Sequence, residues 1–244
     1  MNTLLSAGRY CFAIAVVAFG IQHFVYVRFA SGLGPPWIVR RPLWMCVMGA
    51  LLVLAGMAFV AGKRVLFAGT VLGAFLFLYF LFLYVSRLVA NVHNPAPWTS
   101  GAEILALCGA ALALAGASSG RFSSLARLGS SLFALTLTVF GIQHLLYGRF
   151  VATLIPAWIP GRLFFAYGVG LCFIATTLSI LSGLMDRLAA TLLGTMFLTW
   201  VVILHLPRVL ASQKNGNEWT SAIVALAMAG GSWIVAGAVR KISH

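Results

Sequence analysis

Two histidines, His23 and His144, sit in nearly identical surroundings. "FGIQHFVYVRF" runs from Phe19 to Phe29 and "FGIQHLLYGRF" from Phe140 to Phe150, identical at eight of eleven positions. A neutral imidazole offers one donor and one acceptor, which suits a quinone carbonyl, a proton relay or a metal. On a helix, Gly20, His23 and Tyr26 fall on one stripe and Phe19 joins the histidine one turn earlier, so a ring, an imidazole and a phenol share a face. The glycine leaves room for a neighbouring helix or a flat headgroup. The competing role for Gln22-His23 and Gln143-His144 is interhelical hydrogen bonding.

The second polar set is Tyr84 with Arg87 and, at the matching place, His205 with Arg208. Pro207 withholds an N–H and frees the carbonyl of Ile203, which is expected to open that helix end toward a ligand. Arg28 and Arg149 are placed in the last turn of their helices, where a cation complements the dipole and reaches headgroups. The acids are Glu103, Asp186 and Glu218. Glu103 and Glu218 are placed to pair with a same-face arginine or, the favoured role, to stabilise helix N-termini, and Asp186 reads as a solvated loop residue. So few acids leave paired-carboxylate hydrolysis and a magnesium site for diphosphate chemistry poorly supported. No metal site is expected, and bis-histidine haem between His23 and His144 is disfavoured because no helix carries a second histidine at the spacing of stacked membrane haems. The cysteines Cys11, Cys46, Cys108 and Cys172 stand singly and read as small buried apolar residues, while His93 and His244 read as exposed. Trp37, Trp98, Trp158 and Trp219 fall where interfacial anchors belong.

The elements that must position these groups are membrane helices. The chain has 244 residues, of which 62% are hydrophobic and 8% charged, with mean hydropathy +1.04. That composition belongs to an all-α integral membrane protein. Eight apolar stretches are long enough to cross a hydrocarbon core: 7–27, 42–62, 65–86, 101–118, 126–148, 162–182, 187–207 and 220–239. The first of them imitates a signal peptide, with Arg9 before an apolar core, but it leads into the same motif as an internal helix does. An offset of 121 residues holds without a gap from Phe19/Phe140 to Gly116/Gly237. It relates "GPPWIV" to "IPAWIP", Arg87 to Arg208, and "WTS" at Trp98 to "WTS" at Trp219. The expected organisation is a tandem of two four-helix units, over 1–118 and 126–244, joined by a linker over 119–125. An even number of helices per unit makes the repeats parallel, related by a pseudo-two-fold along the membrane normal.

The net charge of +13 arises from Lys and Arg scattered singly at helix ends, a pattern that matches anionic lipid headgroups and excludes a nucleic-acid face. Positive charges divide eight against eight between the two membrane faces; setting aside Arg28, Arg149, Arg87 and Arg208 as members of repeated motifs leaves eight against four, which places both termini in the cytoplasm. The repeated polar motifs then gather at the extracytoplasmic face.

The combination "GIQHLLYGRF…LIPAWIPGRLFFAYGVG…HLPR…EWTS" resembles the DoxX family of small bacterial membrane proteins, usually a single four-helix unit. The resemblance covers essentially the whole chain as two units. It implies the fold, a bacterial cytoplasmic membrane and a redox neighbourhood, since members are associated with thiosulfate:quinone oxidoreductase, methylamine utilisation and membrane redox complexes. It supplies no catalytic residues. The first copy departs from the pattern, with "YVSR" where the second has "HLPR".

The expected function is that of a membrane subunit binding a quinone or lipid headgroup in support of electron transfer. His144, Gln143, His205, Arg208 and Arg149 are expected to line the better-preserved site, and His23, Gln22 and Arg87 its degenerate twin. No flavin, iron–sulfur or copper motif is visible, so electrons call for a partner subunit, and any enzyme would be a complex of which this is an accessory part. Two other classes remain open: a scaffold subunit of a respiratory or photosynthetic complex, and a small-solute transporter.

Overall fold

A computed structural model describes residues 3–26, 41–119 and 123–242. Arg28, Trp37 and the "GPPWIV" segment lie outside the described residues, as does His244. The described chain contains eight helices long and apolar enough to cross a membrane: α1 (Thr3–Val25), α2 (Arg41–Ala61), α3 (Val65–Ala90), α4 (Pro95–Ser119), α5 (Ser123–Leu146), α7 (Arg162–Ser182), α8 (Asp186–Ala211) and α9 (Gly216–Ile242). A short helix, α6 (Gly148–Leu154), follows α5. Among the described residues there is no strand, and the protein is an all-α membrane protein.

Several helices start earlier than hydropathy alone places them, because polar caps rather than apolar runs define the ends. Asn94 accepts the N–H of Ala96 at 3.0 Å and Asn215 that of Asn217 at 3.0 Å, so α4 and α9 each begin from an asparagine cap. Pro95 at the first position of α4 loses nothing by lacking its N–H. The "WTS" motifs, expected before these helices, therefore lie inside their first turns. Each tryptophan donates its indole N–H back to the preceding loop, Trp98 to Val92 O at 3.0 Å and Trp219 to Gln213 O at 2.8 Å, so it braces the turn as well as marking the interface. α5 likewise starts at Ser123, within the stretch read as linker.

The centre of the bundle is formed by α4 and α9, which pack on each other and are the most buried of the spans. α4 also packs extensively on α3 and α5; α9 packs on α8 and α1; α2 lies on α1 and α7 on α5. The closest approaches run through glycines. A methyl added to Gly8 would fall 2.6 Å from Ile234 N, and one on Gly109 2.6 Å from Phe133 N. These distances admit no side chain, which is how membrane helices gain van der Waals contact where lipid removes any hydrophobic drive between them. Gly8 meets Gly230 across α1 and α9, and Gly109 meets Gly129 across α4 and α5. Cys108 is fully buried, donating its thiol to Gly73 O at 3.2 Å, whereas Cys172 is exposed on the outer surface and corrects the reading of all four cysteines as buried.

Candidate functional site

A cavity of about 420 Å³ opens among α1, α2, α3, α4 and the first turns of α9. That size lies at the low end of the range for small-molecule sites. Its walls are mostly apolar: Phe19, Met45, Met48, Leu52, Phe75 and Leu76 among others. The polar residues that line this greasy space are Gln22, His23, Tyr26, Tyr79, Tyr84, Ser100, Glu103, Asn217 and Thr220. Among the described residues the lining contains no lysine and no arginine.

His23 is oriented by its own helix. Its Nδ1 lies 2.8 Å from the carbonyl oxygen of Phe19. A carbonyl only accepts, so Nδ1 carries the proton, and Nε2 is the nitrogen that would accept from a ligand when the ring is neutral. Gly49 of α2 makes this arrangement fit, since a methyl there would stand 3.1 Å from His23 Cβ. Tyr79 and Tyr84 bracket a single π turn, Phe80–Tyr84, inside α3, where the Val85 N–H reaches back five residues to Phe80 O. The extra residue rotates the remainder of the helix and brings the two phenol rings to 6.1 Å of each other. Arg87 lies over the Tyr84 ring at 5.6 Å, behind the phenol rather than in the cavity lining.

Glu103 changes role. Hydropathy puts it at the start of a helix, where it would stabilise an N-terminus; α4 begins at Pro95, so Glu103 stands more than two turns in, beyond the reach of the end charge, and faces the cavity. Glu218 does occupy the first turn of α9, as an N-terminal acid should, whereas Asp186, expected in a solvated loop, is instead the first residue of α8.

The second half places the corresponding residues differently. His144 is held by the same bond, Nδ1 to Phe140 O at 2.8 Å, but its ring meets the edge of Phe173 at 5.2 Å. Phe173, Phe197 and Trp200 stand where the first half has Leu52, Leu76 and Tyr79, and they pack on one another with centroids 5.3 to 6.2 Å apart. Glu103 is matched by Val224. The cavity thus lies in the half expected to be degenerate, and aromatic rings occupy the one expected to be better preserved.

The remaining predicted residues do other work. Gln22 and Gln143 are crosslinks: Gln143 donates to Pro95 O at 3.0 Å and accepts from Thr99 at 3.0 Å, while Gln22 bonds Thr220 at 3.1 Å and Gly216 O at 3.4 Å. Each glutamine reaches the "WTS" threonine of the opposite half; Gln22 additionally lines the cavity. Arg208 donates to the last carbonyl of α6, Leu154 O, at 2.8 Å, so it secures that short helix. Arg149 is exposed in the first turn of α6, not the last turn of α5, because the chain breaks at Tyr147, and the favourable dipole expected for it is absent. His205 lies in a π turn, Val201–His205, with its Nδ1 buried and without a partner. The matching π turn of α3 forms with Ser86 in place of Pro207, so the proline does not cause it. Among the described residues no three His, Cys, Asp or Glu converge as metal ligands.

Sequence reasoning gave Glu103 another role and passed over Tyr79 and Leu52. Asn94-Pro95 as a cap, and the Leu52/Phe173 and Tyr79/Trp200 differences between the repeats, were the signals that could have found them. Compared with protein-family models, curated proteins and solved structures, the chain matches none.

Proposed function

We propose that this protein is a DoxX-like membrane subunit that holds the headgroup of a quinone in the α1–α4 cavity, in support of electron transfer by a partner. The observation that carries it is the pairing of an imidazole and a carboxyl group, His23 and Glu103, with the phenols of Tyr26, Tyr79 and Tyr84 in a mostly apolar cavity. A flat quinone ring gains from the apolar walls, its carbonyls accept from Tyr79 or Tyr84, and quinol hydroxyls donate to His23 Nε2 or to the carboxylate. Quinol oxidation releases protons together with electrons. His23 and Glu103 are suited to receive the former, and a redox centre in a partner subunit the latter. A phosphate headgroup, the other expected ligand, is disfavoured because a carboxylate at Glu103 would repel it.

Equivalent contacts 121 residues apart, Gln22–Thr220 with Gln143–Thr99 and Gly8–Gly230 with Gly129–Gly109, support the reading as a tandem repeat with parallel halves. With both termini in the cytoplasm of a bacterial cell, the cavity opens on the extracytoplasmic side.

The test is binding of a short-chain quinone and its quinol to purified protein. Leu52→Phe brings into the first half the ring that fills the second; it is expected to weaken quinone binding by at least about ten-fold, or ~1.4 kcal/mol, with the melting temperature maintained. Glu103→Gln is expected to weaken quinol more than quinone. Undiminished quinone binding by a folded Leu52→Phe protein would sink the proposal. One observation favours a second reading: a carboxyl group among aromatic walls also suits a lipophilic organic cation, as a transporter would need. Tetraphenylphosphonium binding that requires Glu103, with no quinone binding, selects that alternative.

A further inference from the structure

At the opposite end of the bundle, where α1 begins and α4 ends, a second cavity of about 450 Å³ is lined by Arg9, Arg64, Ser118 and Ser119 with Leu5, Val65, Leu66 and Leu114. Its chemistry is the reverse of the first: two guanidinium-bearing residues and no acid. Of the three acids in the chain, Glu103 faces the other cavity, Glu218 begins α9 at the far end, and Asp186 begins α8 in the other half.

Arg9 is positioned by a built turn. Gly62 has φ +66° and Arg64 φ 52°, both in the left-handed region, and the chain reverses there from α2 into α3. A non-glycine residue in that region costs about 1 kcal/mol or more. A methyl on Gly62 would fall 2.7 Å from Nη1 of Arg9, so the guanidinium lies against this turn. The guanidinium lies over the Tyr10 ring at 4.8 Å, and its Nε is buried with no hydrogen-bond partner among the described residues. Buried, unpaired donors of this kind normally have an acceptor. Arg64 immediately precedes α3, whose first-turn N–H groups add partial positive charge. The same turn recurs at Gly183 and Met185, but there Met185 stands for Arg64 and Ser130 for Arg9. The charge is therefore particular to this corner and is not required by the turn.

We infer that this cavity is a binding site for a phosphate ester, and specifically for the phosphodiester of an anionic phospholipid. Arginine's planar fork matches phosphate oxygens, while Ser118 and Ser119 donate to Ala115 O and Gly116 O of their own helix at 2.7 and 3.4 Å. The leucine and valine walls accommodate the glycerol end of a lipid that a free anion lacks. The site lies at the ends of membrane-spanning helices, at the depth where headgroups reside.

Native mass spectrometry of delipidated protein titrated with phosphatidylglycerol or phosphatidylcholine tests this. Wild type is expected to retain one phosphatidylglycerol in preference to phosphatidylcholine, and Arg9→Gln with Arg64→Gln to lose that preference by about ten-fold or more. Arg127→Gln with Arg187→Gln, which removes charge from the same end outside the cavity, is expected to leave it unchanged. Equal loss in that control would mean a diffuse charge effect and overturn the site. Complete displacement of the lipid by millimolar inorganic phosphate would assign the site to a free anion and overturn the lipid half of the inference. Should the glutamine pair fail to fold, Arg64→Gln alone, on the exposed turn, gives the same readout, and retention of full preference by that variant overturns the role of Arg64.

Discussion

Glutamine in a membrane helix is costly unless its amide is satisfied, and Gln143 is satisfied by a partner in the opposite half of the chain. Interhelical bonds of this kind contribute about 0.6 kcal/mol on average and under ~2 at most. A double-mutant cycle of Gln143→Leu and Thr99→Val, read as reversible unfolding in detergent, is therefore expected to return a coupling of about 0.5–1.5 kcal/mol. A coupling near zero would mean that the bond is not formed in the folded protein. At this scale the sequence was partly legible. The polarity of Gln22, His23 and their mates was visible as a repeated motif, and hydrogen bonding was one of its two assigned roles. Glu103 was misassigned because its role depends on where α4 begins, and hydropathy sees the apolar run rather than the Asn94 cap. The bond from Arg208 to α6 was not legible because its acceptor, the carbonyl of Leu154, belongs to a segment 54 residues away.

The elements themselves were easier to read than their irregularities. All eight spans follow from hydropathy, since lipid requires helices whose backbone bonds are internal. The π turns at Phe80–Tyr84 and Val201–His205 leave no such signature. Proline offered an attractive cause for one, yet the other forms with serine at the same place, so packing of α3 and α8 against α4 and α9 is the better account. Pro207→Ser is expected to keep the π turn, because the Leu206 N–H already reaches Val201 O without help from position 207. Amide hydrogen exchange over 201–206 should remain as in wild type, with stability changed by less than about 1 kcal/mol. Markedly greater protection there would mean that the proline had been holding the helix open.

How the helices pair across the molecule was the least legible feature. A membrane helix is apolar all round, so no stripe announces which side meets which neighbour. Two four-helix units in sequence suggest two bundles joined by a linker; instead the most extensive packing joins α4 to α5 and α1 to α9, across the halves. Glycines make these contacts possible, and they leave α4 and α9 as a shared spine. Neither half can bury its own spine helix alone. Co-expression of residues 1–119 and 123–244 as separate chains is therefore expected to give a complex that co-purifies, with each chain alone unstable or aggregated. Gly109→Val, whose side chain would meet the backbone of Phe133, should weaken that complex by about 1–3 kcal/mol. If each half instead purifies alone as a stable, monodisperse protein, the shared spine is not what holds the molecule together, and the cavity walled by both α4 and α9 loses its structural basis.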